Sequence, residues 1–382
     1  MKYQKTYIMK NHIIYVLIAF SVLTFGQENQ KKSQSEFLTS LDEKIPLQLK
    51  EKNVPGMAIA IVENGEVIYQ KGIGFSNTEK EIKITEETGF NIGSISKLFT
   101  AWGIMKLVEN NKIDLDAPIE NYLTRWKFPK SEFDSKKVTV RSLLSHTAGI
   151  SVHGYPGFHP DAKLPTLEAS LNGENGPVRE NEKVEIIIEP NTKFQYSGGG
   201  YTILQLLIEE VIGISFEQYM QKEVFKPLKM KHTSFTIDKQ LLKNSATPYD
   251  ENGKEVYFEV FTAKAAAGLH TTLEDMLLFA KATIDGNSVL TKQTINEMTK
   301  IVPITKSKGR AQGLGYNAII LGPLTVKGHA GSNTGWESGF MLDFNSNSGI
   351  IMLTNGDNGK DVAIATLRQW ARWKMSTMQS KN

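Results

Sequence analysis

The 382-residue chain contains no cysteine. It therefore forms no disulfide and no thiolate zinc site, and it has no cysteine nucleophile and no lipidated N-terminal cysteine. With 40% hydrophobic and 22% charged residues, its composition is that of an ordinary globular protein, which must be stabilised by core packing alone. The length suffices for one large domain or two modest ones.

A strong excess of charge is also absent. The chain carries a net charge of +3, and three lysines within the first 26 residues, which hold no acidic residue, account for all of it. A nucleic-acid partner requires a basic face, so the rest of the chain gives no support for such a partner.

The first 26 residues differ in composition from the rest of the chain. A positive head leads to an apolar run at 13–26, after which the sequence turns polar. This pattern predicts a cleaved signal peptide over 1–26 and a polar linker over 27–36. The alternative is a membrane anchor, but the apolar run is shorter than the roughly 20 residues that span a bilayer. We therefore expect export, with no stable membrane span after cleavage.

Several motifs of other enzyme classes are missing. The absence of Gly-x-Ser-x-Gly argues against an α/β-hydrolase, and the absence of His-Glu-x-x-His leaves a zincin unsupported. Neither Ser-Asp-Asn nor Lys-Thr-Gly occurs, which argues against a class A β-lactamase. No phosphate-binding loop is found either, and we predict no metal and no cofactor.

Segments rich in strand-forming residues lie at both ends of the chain. Asn64-Gly65 separates two apolar runs, which is a strong signal for a β-hairpin. Late in the chain, turn-forming residues bound four strand candidates: GYNAIIL, LTVKGHAG, SGFMLDF and GIIMLTN. A helix is then expected over 359–376, with one apolar stripe formed by Leu367, Trp370 and Trp373.

Helical patterns dominate between these ends. The predicted helices cover 37–52, 97–110, 139–146, 200–212, 215–223 and 272–283. This arrangement indicates an antiparallel sheet completed by both chain ends and flanked by helices, with a mainly helical region inserted. We expect one α/β (α+β) domain over 37–378, with the sheet part in about 37–90 and 300–378 and the helical part in about 91–299.

The segment FNIGSISKLFT (90–100) contains the first candidate catalytic pair. Ser94 and Lys97 lie one helical turn apart, so the lysine can reach the serine hydroxyl. A serine is a poor nucleophile until a base takes its proton, and a lysine serves as that base if burial lowers its pKa. The helix N-terminus would favour an oxyanion at the Ser94 backbone N–H. Ser-x-x-Lys alone also fits a serine that merely caps a helix.

Two further stretches strengthen the catalytic interpretation, namely PNTKFQYSGGGY (190–201) and VKGHAGSNTGW (326–336). With them the chain resembles the serine β-lactamase and penicillin-binding protein superfamily, in the branch of class C β-lactamases, D-alanyl-D-alanine carboxypeptidases and related esterases. The resemblance extends over about 50–360 and includes VTVRSLLSHTAGI, EVFKPLKMKHTSF and AAAGLHTTLEDM. It implies the β-lactamase/transpeptidase-like fold and, because the superfamily is mainly bacterial, a periplasmic location.

The resemblance also implies roles for matching residues. Ser94 would be the acyl-accepting nucleophile and Lys97 its hydrogen-bonded activator. Tyr196 matches the tyrosine of the second motif, a base for attack and an acid for the leaving group; the sequence leaves open whether it or Lys97 takes the proton. His329 stands in the third motif, where it would support the site electrostatically. The backbone N–H groups of Ser94 and Ser332 would form the oxyanion hole.

Two positions depart from the best-known motifs of the superfamily. Gly198 replaces the asparagine of Tyr-x-Asn, and His329 replaces a permanent cation suited to hold a substrate carboxylate. Both changes weaken the case for an efficient β-lactamase and fit a peptidase, amidase or esterase. Lys327 shares the predicted strand face of His329 and is a candidate for the missing charge. Tyr196 and His329 also fit plain core roles.

Weaker candidates for substrate contact surround these motifs, namely Ser197, Gly198, Gly331, Trp336 and Tyr155. Tyr155 belongs to the turn-rich segment HGYPGFHP, which also contains His153 and His159 and is of a kind that roofs pockets. His146 and His270 are interpreted as structural.

The sequence therefore predicts an exported, metal-independent serine hydrolase that acts on a small-molecule or peptide substrate through a Ser94 acyl-enzyme. A hydrolase of the D-Ala-D-Ala carboxypeptidase type is the first expectation. A carboxylesterase, a D-amino-acid amidase and a penicillin-binding sensor without turnover are the alternatives. The oligomeric state is left open.

Overall fold

The computed structural model describes residues 34–174, 182–286 and 288–379. The predicted signal peptide and residues 27–33 of the predicted linker lie outside the described residues. The last three residues of that linker are helical, because the first helix begins at Gln34.

One antiparallel sheet of eight strands forms the centre of the fold, in the order β3-β2-β1-β10-β9-β8-β7-β6, and β4 pairs with β5 separately. The strands are β1 (Gly56–Glu63), β2 (Glu66–Asn77), β3 (Ile82–Lys83), β4 (Gly89–Asn91), β5 (His270–Thr272), β6 (Arg310–Gln312), β7 (Asn317–Leu321), β8 (Leu324–Asn333), β9 (Trp336–Asp343) and β10 (Ser348–Thr354). Because β1 pairs with β10, with Met57 opposite Thr354, both chain ends complete the sheet, as the sequence predicts.

The Asn64-Gly65 hairpin is confirmed. It joins β1 to β2, and both turn residues have positive φ, 52° at Asn64 and 84° at Gly65. Positive φ at both central positions defines the turn that matches the twist of paired strands, and Asn-Gly is the sequence that adopts it most readily.

Helices cover both faces of this sheet. They are α1 (Gln34–Glu51), α2 (Ser96–Glu109), α3 (Val140–Leu144), α4 (Leu167–Leu171), α5 (Gly198–Ile212), α6 (Phe216–Met220), α7 (Lys239–Lys243), α8 (Lys264–Ala267), α9 (Leu273–Asp285), α10 (Lys292–Thr299) and α11 (Gly359–Gln379). The long helices match the predicted ones to within a few residues. The missed elements, such as β3 to β6 and α8, are too short to show a clear hydrophobic period.

Two hydrophobic cores lie on opposite faces of the sheet. Alternation along β1 sends Ala58 and Ala60 to the core beneath the helical region, and Met57, Ile59 and Ile61 to the core beneath α1 and α11. On the second face, Phe37 of α1 stacks on Trp373 of α11 with ring centroids 4.5 Å apart. A sheet covered on both faces provides a rigid base for the segments at its edge.

Among the described helices, none is by itself long and apolar enough to cross a membrane. One pair, Gly198–Ile212 with Phe216–Phe225, meets the length and composition test only when taken together, and it is bent by 79°.

Candidate active site

A tight turn presents Ser94 at the start of α2. Gly93–Ile95 form a 3-10 turn that runs directly into the helix, and Ser94 is partly exposed while its neighbours are buried. The Gly93 N–H donates to Asn91 Oδ1 at 2.9 Å, and Ser96 Oγ donates to the Gly93 carbonyl at 2.6 Å. The turn is therefore fixed from both sides before any substrate arrives.

Lys97 lies directly behind the serine in a dry environment. Its Nζ donates to Ser94 Oγ at 3.2 Å and to the Ala266 carbonyl of α8 at 2.7 Å, and the side chain is only 2% exposed. Burial lowers the Lys97 pKa from 10.5 to about 7, because the charged form loses its hydration. Lys97 thus meets the geometric and electrostatic requirements of a general base for Ser94.

Tyr196 lies close to Lys97. The Lys97 Nζ is 5.0 Å from the centre of the Tyr196 ring, which contacts the His146 ring at a centroid distance of 4.3 Å and the His153 ring at 4.9 Å. The next residue, Ser197, caps α5 and accepts from the Gly200 N–H. This cap fixes the backbone that carries Tyr196 at the cleft.

His146 is the neighbour that sequence reasoning underrated. Its Nδ1 accepts from the Ser197 N–H at 3.1 Å, which fits the structural role expected for it, yet its ring also packs on Tyr196. Burial and the nearby Lys97 and His329 hold the His146 pKa well below 6.5, so the ring is neutral. A histidine some fifty positions before the tyrosine gives no sequence signal of this contact.

His329 reaches the same place from β8. Its ring centre is 6.2 Å from that of Tyr196, and its side chain is 1% exposed. Burial first, and then the Lys97 charge, lowers its pKa to about 3. The imidazole is therefore neutral at physiological pH, so it would support the site as a neutral ring and not as a cation.

The end of β8 approaches the nucleophile turn closely. A Cβ built on Gly93, whose φ is +49°, would lie 2.6 Å from the Ser332 backbone nitrogen. Asn333 ties the two segments together, since its Nδ2 donates to Asn91 Oδ1 at 2.7 Å and to the Ala267 carbonyl at 2.9 Å. The backbone amides of Ser94 and Ser332 are thus neighbours, as an oxyanion hole requires.

Comparison with known proteins agrees with this architecture. The family model described as Beta-lactamase matches residues 41–372. The chain belongs to the β-lactamase family. Members of this family are in general serine hydrolases, and the large antiparallel sheet with its helices is the β-lactamase and penicillin-binding protein fold.

Individual relatives are distant. Protein flp of Staphylococcus aureus strain MW2 is 26% identical over 328 residues, which cover 82% of this chain and 62% of that protein. PbpX of Bacillus subtilis strain 168 is 30% identical over 274 residues, covering 68% and 63%. The chain thus spans a little over three fifths of the length of these curated relatives. The solved structure of an octameric penicillin-binding protein homologue from Pyrococcus abyssi matches with a TM-score of 0.72 at 29% identity, covering 84% of this chain and 74% of that one.

The residues that the sequence indicates as weaker candidates for substrate contact differ in their position relative to Ser94. Gly331 lies against the Ile92 carbonyl beside the nucleophile turn, whereas Gly198 begins α5 beside the His153 carbonyl. The Ser197 hydroxyl is buried and donates to the Ser151 carbonyl at 2.5 Å. These three positions shape the cleft mainly through the backbone.

Two aromatic candidates are placed more deeply than expected. Trp336 is 1% exposed and packs edge-on against Phe90 and Phe258, so it is a core residue and not a wall of the cleft. The Tyr155 hydroxyl is buried beside Thr202, and burial raises its pKa. His270 is fully buried with its Nε2 2.9 Å from Ser245 Oγ, which fits the structural role expected for it.

The remaining candidates do not add charge to the site. The Lys327 Nζ lies 5.7 Å from the centre of the Phe344 ring. The charge of Lys97 lowers the His329 pKa, whereas Lys327 has no such effect on His329. His159 is exposed and packs on Tyr257. Within the described ranges, no cluster of three or more His, Cys, Asp or Glu side chains is arranged to hold a metal ion.

Proposed function

We propose that the protein hydrolyses an ester or amide through an acyl-enzyme on Ser94. The observation that carries this proposal is the 3.2 Å contact between Ser94 Oγ and the Nζ of a buried lysine whose pKa is about 7. Such a lysine is largely neutral just above neutral pH and can accept the proton that the serine must lose.

The reaction then has two stages. Ser94 Oγ attacks the substrate carbonyl, its proton passes to Lys97 or Tyr196, and the oxyanion is held by the Ser94 and Ser332 backbone N–H groups. The tetrahedral intermediate collapses, and the alcohol or amine leaves with a proton returned from the same pair. Water then attacks the acyl-enzyme, releases the acid and restores the Ser94 hydroxyl.

Hydrolysis of a neutral aryl ester tests this proposal. The protein is expected to hydrolyse p-nitrophenyl acetate and to gain the mass of one fluorophosphonate probe on the peptide that contains Ser94. Ser94→Ala should lose both signals while keeping its circular dichroism spectrum, and Ser307→Ala, which alters an exposed serine, should keep both. Labelling that persists in Ser94→Ala would refute the proposal.

We also propose that the enzyme works outside the inner membrane, in the periplasm, after removal of residues 1–26. The support is the charge and hydrophobicity pattern of that segment. N-terminal sequencing of the protein from an envelope fraction should give a start close to Gln27. A cytoplasmic protein that begins at Met1 would contradict this proposal.

A further inference from the structure

The third-motif histidine contains a buried acceptor without a partner in the described ranges, close to Tyr196. His329 Nδ1 lies 2.5 Å from the Ala330 carbonyl oxygen, which can only accept, so Nδ1 carries the proton. In the neutral ring Nε2 then has only a lone pair. Nε2 is buried and has no hydrogen-bond partner among the described residues, although buried polar atoms are normally paired. A substrate group that supplied a donor to this buried acceptor would remove the cost of leaving it unpaired.

The same geometry keeps His329 itself from acting as a cation. A proton on Nε2 would put an imidazolium next to the Lys97 ammonium, with both groups out of water, which is costly. At His329 a substrate carboxylate would therefore face a lone pair, and the cation beside it, Lys97, already directs two of its donors to Ser94 and Ala266.

Carboxylates line the segment that comes after His329. Ser332 Oγ donates to Glu337 Oε1 at 2.6 Å, Thr334 Oγ1 to Glu259 Oε1 at 2.9 Å, and the Gly335 N–H to Asp357 Oδ1 at 2.5 Å. We call Glu259, Glu337 and Asp357 the acidic rim. Burial raises the pKa of each of its members, that of Glu337 to about 8, and Asp357 adds to the shift at the two glutamates. Glu337 is therefore largely protonated at neutral pH, and the negative charge of the rim rests on Glu259 and Asp357. Lys360 is the cation that offsets Glu337.

The position of Glu259 links the rim to the cleft. It is 6% exposed, receives a hydrogen bond from the Gly157 N–H of the loop that carries Tyr155, and holds Thr334, two residues after the proposed oxyanion donor Ser332. Glu259 is therefore hydrogen-bonded to the turn that directly follows the strand end carrying the proposed oxyanion amide.

From the bare acceptor at His329 and the rim beyond it, we infer that the β8 side of the cleft selects an uncharged substrate group that offers a hydrogen-bond donor, and discriminates against a free carboxylate. This inference rests on the proposed acyl-enzyme function and specifies its substrate class. It favours neutral esters and amides, including carboxamides, over D-Ala-D-Ala peptides with a free C-terminus and over penicillins, which also carry a carboxylate.

Two acetyl esters of nearly equal size test the inference. 4-Acetoxybenzamide and 4-acetoxybenzoate differ in whether the leaving group ends in a carboxamide or a carboxylate. After correction for their rates of hydroxide-catalysed hydrolysis, the enzyme should favour the carboxamide by tenfold or more in kcat/KM. Equal or reversed preference, with hydrolysis that depends on Ser94, would overturn this inference and leave the proposed function intact. Hydrolysis of neither ester above the Ser94→Ala level would overturn both.

Variants separate charge from fold. His329→Lys should shift the preference toward 4-acetoxybenzoate by tenfold or more. Because a lysine at this buried position can prevent folding, Glu259→Gln provides a second test. It should reduce the preference for 4-acetoxybenzamide over 4-acetoxybenzoate at least threefold. Glu255→Gln removes the same charge from an exposed residue four positions earlier and should leave the preference unchanged. A preference equal to that of the wild type in Glu259→Gln and in a folded His329→Lys would overturn the inference.

Discussion

At the scale of single residues, the proposed mechanism with Lys97 as the base ties the pH dependence of the reaction to the Lys97 pKa. Only the neutral amine can accept the Ser94 proton, so kcat/KM for a neutral ester should rise with pH through about 7 and then level off. His146 and His329 do not obscure this step, because burial holds both pKa values well below 6.5. Initial rates between pH 5 and 9 measure the profile. A flat profile across that range would contradict the assignment.

The same lysine should reduce the stability of the fold. Lowering its pKa from 10.5 to about 7 costs about 5 kcal/mol below pH 7. Lys97→Met removes this cost, and its loss of the Ala266 hydrogen bond offsets about 1 kcal/mol of the gain. The unfolded chain binds the extra proton, so the cost is largest below pH 7 and fades as pH rises toward 10.5. Lys97→Met should therefore be inactive but melt at a higher temperature than the wild type, with a larger gap at pH 6 than at pH 9. A variant that melts lower at pH 6 would disprove this.

Sequence reasoning reached some residues of this site and missed others for a physical reason. Ser94 and Lys97 share one helical turn, so their proximity follows from local geometry. Asn333 and Asn91 meet across 242 positions, and nothing local marks either residue as a tie between the strand and the turn. The neutral state of His329 depends likewise on how deeply the completed fold buries it.

At the scale of elements, the close approach of the nucleophile turn to β8 depends on Gly93. An alanine there would bring its Cβ to 2.6 Å from the Ser332 nitrogen and push that donor out of line. Gly93→Ala should lower kcat by about 10²- to 10³-fold, the usual cost of one lost oxyanion donor. Steady-state kinetics on p-nitrophenyl acetate measure the effect.

Gly213→Ala is the matched control for this variant. Gly213 ends α5 with φ of +76°, and a Cβ built there meets nothing within 4 Å. Gly213→Ala therefore has the backbone cost of an alanine at positive φ without a clash such as that between the Cβ of Gly93→Ala and the Ser332 nitrogen. Similar losses of kcat in the two variants would attribute the effect to general strain and not to the oxyanion donor.

At the scale of the whole molecule, the sequence predicted the strands of the large sheet more completely than the short elements packed around it. The hairpin at Asn64-Gly65 and the late apolar runs have strong local signals. The pairing of β1 with β10 then follows, because the early hairpin and the late strands each have an edge that needs a strand partner. The short β4–β5 ladder joins segments about 180 positions apart and has no local signal of its own. Such contacts form only because the large core brings the segments together.

The two chain ends also meet through a buried ion pair. Lys374 of α11 is 2% exposed and donates to both carboxylate oxygens of Glu63 in β1, at 2.6 and 2.8 Å, and to Ser348 Oγ at 3.1 Å. Lys374→Met would leave the Glu63 carboxylate without its charge partner in a largely buried place, and breaking such a pair costs about 3 kcal/mol or more.

Urea unfolding should therefore show Lys374→Met destabilised by about 3 kcal/mol, with the double variant Lys374→Met/Glu63→Leu recovering at least half of that loss. Because the pair joins β1, β10 and α11 on the face away from Ser94, kcat at 25 °C should stay at the wild-type value in the double variant. A double variant as unstable as the sum of the single ones would show that the two charges do not interact. Loss of kcat without loss of fold would instead show that closure of the chain ends is coupled to the active site.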